Sequence, residues 1–209
     1  MGSEMCIRDR IQKAPKLLDS VQKLIDRDNG RFILTGSSAR KLKRGAANLL
    51  GGRAYTYNLF PFVSSELKDK FDLNQYLAFG GLPKTWLISS PEERVLYLRS
   101  YVNTYLKEEI AEEQIVRKLE PFRKFLQVAA QASGTILNYS AIARDVGVSD
   151  QTVRTYFDIL EETLLGFHLP PFGRSIRKAQ GKSHKFYLFD SGVIRALKRT
   201  IDQEYSRPE

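Results

Sequence analysis

Four residues with side chains suited to binding nucleic acids stand close together in the second half of the chain. They comprise an amide, two hydroxyls and a guanidinium, and they are Gln151, Thr152, Arg154 and Thr155. Such groups reach base edges and phosphate oxygens. An apolar stripe alternates with them at helical spacing, and its members are Val153, Tyr156, Phe157, Leu160, Leu164 and Leu165. We therefore predict a helix from about Gln151 to Leu165 that buries the stripe and exposes the four polar residues.

A shorter helix is predicted just before this one, at Ser140 to Val146. The small-residue, turn-glycine and core-aliphatic positions of a helix-turn-helix fall on Ala143, Gly147 and Val153. Ser149 or Asp150 is expected to cap the second helix, because a short oxygen-bearing side chain there accepts an otherwise unpaired backbone N–H. The two helices together predict a helix-turn-helix whose second helix faces DNA.

Two strands around a basic loop are predicted to follow, as in the wing of a winged helix. The apolar runs are Phe167 to Phe172 and Lys185 to Asp190. The cations between Gly173 and the second strand occur without any acid, and they are Arg174, Arg177, Lys178, Lys182 and Lys185. From Phe167 to Thr200 the chain has eight Lys and Arg residues against the single Asp190. This local positive charge predicts double-stranded DNA as a partner of the wing and of the second helix.

Two other functions are compatible with these motifs. A winged helix can serve only for packing between protein domains, since such modules often lose their DNA role. The chain could also be a stand-alone transcriptional regulator with an unrelated N-terminal domain.

Composition limits the other functional classes. The chain has 209 residues, 42% of them hydrophobic, and a net charge of +9. No apolar run approaches the roughly 20 residues that cross a bilayer, and there is no signal-peptide pattern, so we expect a cytoplasmic protein without membrane contact. Cys6 is the sole cysteine, and His168 and His184 stand apart from other metal-ligand residue types, so no metal site is predicted.

The first part of the chain predicts an α/β unit. An amphipathic helix with Leu17, Leu18 and Val21 leads to a turn, and Phe32 to Leu34 is then expected to form a buried parallel strand. Thr35-Gly36-Ser37-Ser38 follows this strand directly, and a further strand is predicted at Tyr55 to Leu59. Small polar residues at the carboxyl end of a strand lie where open α/β sheets bind their ligands.

These segments resemble the AAA+ ATPases of bacteria and archaea that carry a C-terminal domain of unknown function, a winged helix followed by a nuclease-like fold. Ile11 to Leu18 is similar to the start of the helix after the Walker B strand in that family. The resemblance implies that Thr35 and Ser37 lie on the sensor-1 strand, that Arg53 is a candidate phosphate contact, and that the intact protein binds ATP and Mg²⁺. It also implies assembly with further copies of itself, as AAA+ proteins form oligomers.

The departures from the family pattern are as informative as the matches. The chain contains no G-x-x-x-x-G-K-[ST] motif, so it lacks the loop that holds the phosphates. Asp9-Arg10 stands at the place of the Walker B Asp-Glu pair. Moreover, residues 1–10 resemble a translated sequencing adapter and are predicted to be foreign to the natural protein. We therefore expect a fragment, truncated at both ends, that does not hydrolyse ATP alone.

The predicted fold class is α/β plus α+β: the C-terminal part of a P-loop AAA+ core with a helical lid, followed by a winged helix-turn-helix domain. The longest helix is predicted at Pro91 to Val116. Asp190 is predicted to cap the last helix, Ser191 to Lys198. The expected divisions are a foreign segment at 1–10, the distal AAA+ core at 11–66, the lid and a linker helix at 67–119, the winged helix at 120–185, and the start of a truncated nuclease-like domain at 186–209.

Overall fold

A computed structural model of the chain describes residues 5–8, 17–28, 31–36, 55–105, 119–172 and 184–205. The chain forms two compact units, Met1–Leu59 and Phe60–Glu209. The first unit has a small parallel sheet, whereas the second is mostly helical and contains a small antiparallel sheet.

The N-terminal unit contains two parallel strands and the helix between them. Strand β1 (Met5–Arg8) pairs with β2 (Arg31–Leu34), with Met5 opposite Arg31. Helix α1 (Leu17–Asp28) connects the strands and buries Leu18. The predicted parallel pairing is thus confirmed, whereas the predicted burial of this strand is wrong. Its side chains are only half-buried or exposed, because no second layer covers both faces of this pair in the described part of the chain.

The strand predicted at Tyr55 to Leu59 is wrong. Residues 55–60 have no regular secondary structure, and Tyr55, Tyr57 and Leu59 are exposed. A strand is held by hydrogen bonds to a neighbouring strand, and no described residue provides that neighbour.

Short helices open the second unit. They are α2 (Ser64–Leu67), a 3₁₀ turn (Lys68–Lys70), α3 (Leu73–Phe79), α4 (Pro83–Leu87), α5 (Pro91–Ser100) and a π-helical turn (Tyr101–Tyr105). Asp72 caps α3 by accepting the backbone N–H of Gln75, and Gly80 ends it with a φ of 78°. The long helix predicted at Pro91 to Val116 changes to a π turn after Ser100, and its part beyond Tyr105 lies outside the described residues.

Three helices form the centre of this unit. They are α6 (Leu119–Gln131), α7 (Tyr139–Val146) and α8 (Asp150–Glu162). Gly147 ends α7 in the left-handed region, at a φ of 79°, and Ser149 caps α8 by accepting the N–H of Thr152. The predicted turn and cap are therefore confirmed.

Helix α8 is shorter than predicted. It ends at Glu162 and not at Leu165, because Leu164 takes a positive φ of 60° and Leu165 donates back to the carbonyl of Leu160. Leu164 and Leu165 are consequently half-buried, while the other predicted stripe residues are buried. Ile159 is buried as well and was missed by the predicted stripe.

A two-stranded antiparallel sheet follows. Strand β3 (Gly166–Leu169) pairs with β4 (Lys185–Leu188), with Phe167 opposite Tyr187. Both strands are shorter than predicted. Pro170 and Pro171 end β3, since proline has no N–H to donate to a neighbouring strand. The other edge of β4 pairs with residues near Ile136, which forms a β-bridge to Lys185.

The last helix, α9 (Ser191–Leu197), joins the end of the chain to α3. Asp190 caps it, as predicted, by accepting the N–H of Val193 at 2.9 Å. Its other carboxylate oxygen accepts the N–H of Gly81 at 2.7 Å, in the turn after α3. Arg195 donates to the carbonyl of Ala78 at 3.0 Å. Helix α9 also packs on α6, so segments 67–105, 119–172 and 184–205 share one compact unit, and the predicted domain divisions within it stay predictions.

The centre of the core is aromatic. Phe157 of α8 contacts Phe125 and Phe186 edge-on, with ring centroids 4.9 and 4.8 Å apart. Tyr156 contacts Phe122 edge-on at 4.9 Å. Edge-to-face pairs add stabilisation beyond the area they bury. One side chain, Phe157, therefore connects α6 and α8 with the small sheet.

Candidate nucleic-acid interface

The first turns of α8 present the four predicted polar residues as a surface. Gln151, Arg154 and Thr155 are exposed, and Thr152 is half-buried. The Thr152 hydroxyl lies 2.9 Å from that of Ser149, and the Thr155 hydroxyl donates to the carbonyl of Gln151 at 3.0 Å. The fold thus brings the four residues together at the start of one helix, with the two threonine hydroxyls already engaged within the protein.

Arg154 is oriented by an aromatic ring. Its guanidinium carbon lies 4.0 Å from the ring centroid of Tyr139, the first residue of α7. Such a cation–π contact lowers the rotational freedom of the long side chain while leaving its N–H groups available. Burial raises the pKa of Tyr139; nearby Arg154 lowers it, and the carboxylates of Asp158 and Glu161 raise it. The aromatic partner of Arg154 was not predicted from the sequence, because the two residues lie on different helices.

Carboxylates also lie on the exposed surface of α8. They are Asp150, Asp158, Glu161 and Glu162. The Asp150 carboxylate accepts a hydrogen bond from the hydroxyl of Ser140, which links the starts of α7 and α8. Positive charge is therefore confined to one position of the helix, and the remaining exposed charges on α8 would repel a phosphate backbone.

Of the five predicted wing cations, Lys185 is exposed at the start of β4. Arg174, Arg177, Lys178 and Lys182 lie outside the described residues. The wing therefore stays a prediction.

The two histidines lie together beside the sheet, although the sequence separates them by 16 positions. The ring centroids of His168 and His184 are 6.0 Å apart. Glu161 of α8 binds His168 twice, accepting its backbone N–H at 3.1 Å and contacting Nδ1 at 3.0 Å. Burial tends to raise the pKa of Glu161, but these hydrogen bonds outweigh it and lower the pKa. No three His, Cys, Asp or Glu side chains in the described ranges are arranged to hold a metal ion.

The residues predicted to act on nucleotide are only partly described. Thr35 directly follows β2, so it lies at the carboxyl end of the parallel pair, and it is exposed. Ser37 and Arg53 lie outside the described residues, as do Asp9 and Arg10. The position of Thr35 fits the edge at which parallel sheets bind ligands.

A buried carboxylate was missed as a junction residue. Asp190 is only 4% exposed, and burial raises its pKa, although backbone N–H groups of Val193, Gly81, Gly192 and Leu82 act in the opposite direction. Gly80 and Gly81 form the other side of this junction, but nothing in the sequence links them to Asp190. A Cβ at Gly80 would overlap the Asp190 carboxylate, so only glycine fits there.

Two family models match this chain. Residues 70–204 match a domain of unknown function (DUF8612), and residues 2–68 match an AAA domain. Residues 2–68 are thus an AAA-type fragment. The described residues of the segment 70–204 form a mostly helical domain with a small sheet. The AAA match begins at residue 2, and β1 spans Met5–Arg8, so both include part of the segment 1–10 that is predicted to be foreign to the natural protein. Many different sequences can pair through their backbones in a sheet, so the presence of β1 does not test this prediction. The adapter origin of residues 1–10 stays a prediction.

Two curated relatives come from mycobacteria. They are the uncharacterized protein Rv2008c of Mycobacterium tuberculosis and the uncharacterized protein Mb2031c of Mycobacterium bovis, each 28% identical over 195 residues. The alignments cover 90% of this chain but 43% of each relative, so the chain spans less than half of their length. No solved structure matches the chain. Among the described residues, no helix has the length and apolar character needed to span a membrane.

Proposed function

Since this chain belongs to the family of the domain of unknown function DUF8612 and carries an AAA-type fragment before that domain, we propose that it is part of an AAA+ ATPase that binds double-stranded DNA. In this proposal α6, α7 and α8 with β3 and β4 form a winged helix. The first turns of α8 enter the major groove, and the basic chain between β3 and β4 follows the backbone.

The observation that carries the DNA-binding proposal is the oriented Arg154 at the start of α8. The helix pair has the left-handed Gly147 turn and the Ser149 cap that place the second helix across the first. A guanidinium held over Tyr139 next to the exposed Gln151 is a suitable pair for base edges and phosphates. Net charge of +9 supports a polyanionic partner.

For the AAA-type fragment we propose that the intact protein binds ATP with Mg²⁺ and assembles with further copies of itself. Thr35 and Ser37 would orient the attacking water, and Arg53 would contact a phosphate. ATP would supply the phosphoanhydride bond, and Mg²⁺ would neutralise the charge of its phosphates. The exposed position of Thr35 at the carboxyl end of β2 supports this role.

This chain alone is expected not to hydrolyse ATP. No lysine-bearing phosphate loop occurs in its sequence, and a loop of that kind holds the phosphates in P-loop enzymes. Phosphate release from ATP and Mg²⁺ by the purified chain should equal that of the buffer. Turnover above the buffer rate that disappears in Thr35→Ala would contradict this expectation, since it would require a complete active site within these residues.

DNA binding is tested by the Arg154→Ala variant. We expect weak binding of the chain to a duplex at low salt. The slope of log affinity against log salt should be lower in the variant by about one unit, because the variant neutralises one phosphate fewer. Fluorescence anisotropy with a labelled duplex, at several salt concentrations, measures both quantities. Arg27→Ala, an exposed arginine on α1, removes the same charge at an unrelated position and serves as the matched control.

A packing role is the second candidate, and the carboxylates of α8 favour it. Asp158, Glu161 and Glu162 give the exposed side of this helix an acidic character that suits a basic protein surface better than DNA. Absence of duplex binding at low salt, or equal salt slopes for the two arginine variants, would reject the DNA contact of α8 and leave this role. Preference for one duplex sequence over random DNA would instead favour a transcriptional regulator.

A further inference from the structure

One face of the β3–β4 sheet packs on the core, and the opposite face is exposed to solvent. Phe186 and Leu188 point into the core, where Phe186 meets Phe157 of α8. The opposite face presents side chains in two rows across the strands. From the register, one row contains Phe167 and Tyr187, and the other contains Leu169, Lys185 and Ile136.

This outer face is apolar and accessible. Phe167 is 50% exposed, Leu169 47% and Ile136 65%. Within the described part of the chain, no helix or loop covers these three residues. Because α8 lies against the inner face, the outer face is a surface separate from the start of α8.

The aromatic pair on this face is suited to stacking. The rings of Phe167 and Tyr187 are nearly parallel, with 18° between their planes and 5.6 Å between their centroids. Phe167 lies on the edge strand β3, so one face of its ring is not enclosed by a further strand in the described part of the sheet. Planar aromatic rings on an open sheet accept unpaired nucleobases, since every base has a π face.

Positive charge borders the aromatic pair. Lys185 lies in the row next to it, between Leu169 and Ile136. Lys185 is exposed, so its ammonium group is accessible beside this face. A cation beside stacking rings suits a single nucleic-acid strand, with a phosphate on Lys185 and bases on the rings.

We propose that the outer face of the β3–β4 sheet is a binding site for single-stranded nucleic acid. Phe167 and Tyr187 form the stacking platform, and Lys185 contacts the adjacent phosphate. The site is distinct from the duplex contact proposed for α8, and it gives this domain a means of holding a strand that has been separated from its complement.

The test measures binding of the full chain to labelled oligo(dT) and oligo(rU) of equal length and to a duplex, by anisotropy at low salt. The test variant carries Phe167→Leu and Tyr187→Leu, which removes the rings but keeps much of the apolar volume. We expect affinity for the single strands to fall about tenfold, with duplex affinity unchanged. Tyr57→Leu, an exposed aromatic residue in the other unit, should leave single-strand affinity unchanged.

The remaining outcomes separate this site from the duplex proposal. An equal loss of affinity for oligo(dT) and oligo(rU) indicates a site that does not distinguish deoxyribose from ribose. A loss of affinity for only one of the two identifies DNA or RNA as the ligand. No binding of either strand, or an affinity that the ring substitutions do not alter, overturns the proposal even if the duplex binds. A dimer by sedimentation that the ring substitutions dissociate, without single-strand binding, overturns it in favour of a second copy on this face. Circular dichroism of the variant checks that loss of binding is not loss of the fold.

Discussion

Asp190→Ala is expected to lower the free energy of unfolding of the helical unit by about 3 to 5 kcal/mol. The substitution removes the helix cap of α9 and leaves the buried N–H groups of Gly81 and Val193 without an acceptor. Each buried donor left unpaired costs about 1 to 3 kcal/mol, so the two donors together account for a loss of this size, with the cap of α9 already counted as the bond from Val193. The effect is large because one side chain joins α3 to α9.

The measurement is denaturant unfolding followed by the fluorescence of Trp86, the sole tryptophan. Its indole N–H donates to the carbonyl of Gly80 at 3.0 Å, so it reports on the junction directly. Asp72→Ala removes an exposed cap, which accepts from Gln75 at 2.6 Å, and should cost only about 1 kcal/mol. If Asp190→Ala and Asp72→Ala lowered the free energy of unfolding equally, Asp190 would act only as a helix cap.

The pH dependence of this loss has a definite sign. Burial raises the pKa of Asp190 above its ordinary value, so the folded state binds a proton more readily than the unfolded chain does. The stabilisation of the folded state by this proton is fully present below the ordinary pKa of an aspartate. It is lost as the pH rises through the raised pKa of Asp190. The difference in unfolding free energy between the unsubstituted chain and Asp190→Ala should therefore grow as the pH falls towards the ordinary pKa of an aspartate, about 4.

Phe157→Ala is expected to destabilise the same unit by about 3 to 5 kcal/mol, as truncations of buried aromatic residues do. Phe157 is 1% exposed and contacts Phe125, Tyr139 and Phe186. Its removal would leave a cavity between α6, α8 and the sheet. The neighbouring rings of Phe125, Tyr139 and Phe186 would fill this cavity only partly. Thermal unfolding monitored by circular dichroism measures the loss.

The control for this substitution is Phe172→Ala. Phe172 is 96% exposed, so its truncation should change the free energy of unfolding by less than about 0.5 kcal/mol. A small loss in Phe157→Ala, similar to that of the control, would mean that the aromatic centre does not hold the helices against the sheet.

Helices α7 and α8 and the turn between them could be predicted from the sequence because their signals are local. Ser149 accepts a backbone N–H three residues later, and Gly147 adopts a conformation that other residues rarely take. These preferences act within a few residues. The end of α8 was predicted wrongly because leucine spacing continued to Leu165, while the backbone turned at Leu164.

The contacts between distant segments could not be predicted in this way. Asp190 has the sequence context of a simple cap, and nothing near it indicates that its second oxygen binds Gly81, 109 residues earlier. The position of Arg154 over Tyr139 depends on the crossing of two helices. Similarly, the strand predicted at Tyr55 to Leu59 had the right composition, but a strand also requires a partner that its own residues do not provide.

The contact between Glu161 and His168 has a consequence for how copies of this protein meet. Strand β3 lies at the edge of its sheet in the described part of the chain, and the backbone N–H of His168 points away from β4. An open edge of this kind is a template on which a strand of another molecule can add, the first step of aggregation. Glu161 already occupies that donor with its own carboxylate. A side chain from the neighbouring helix thus protects the sheet against intermolecular growth at this position.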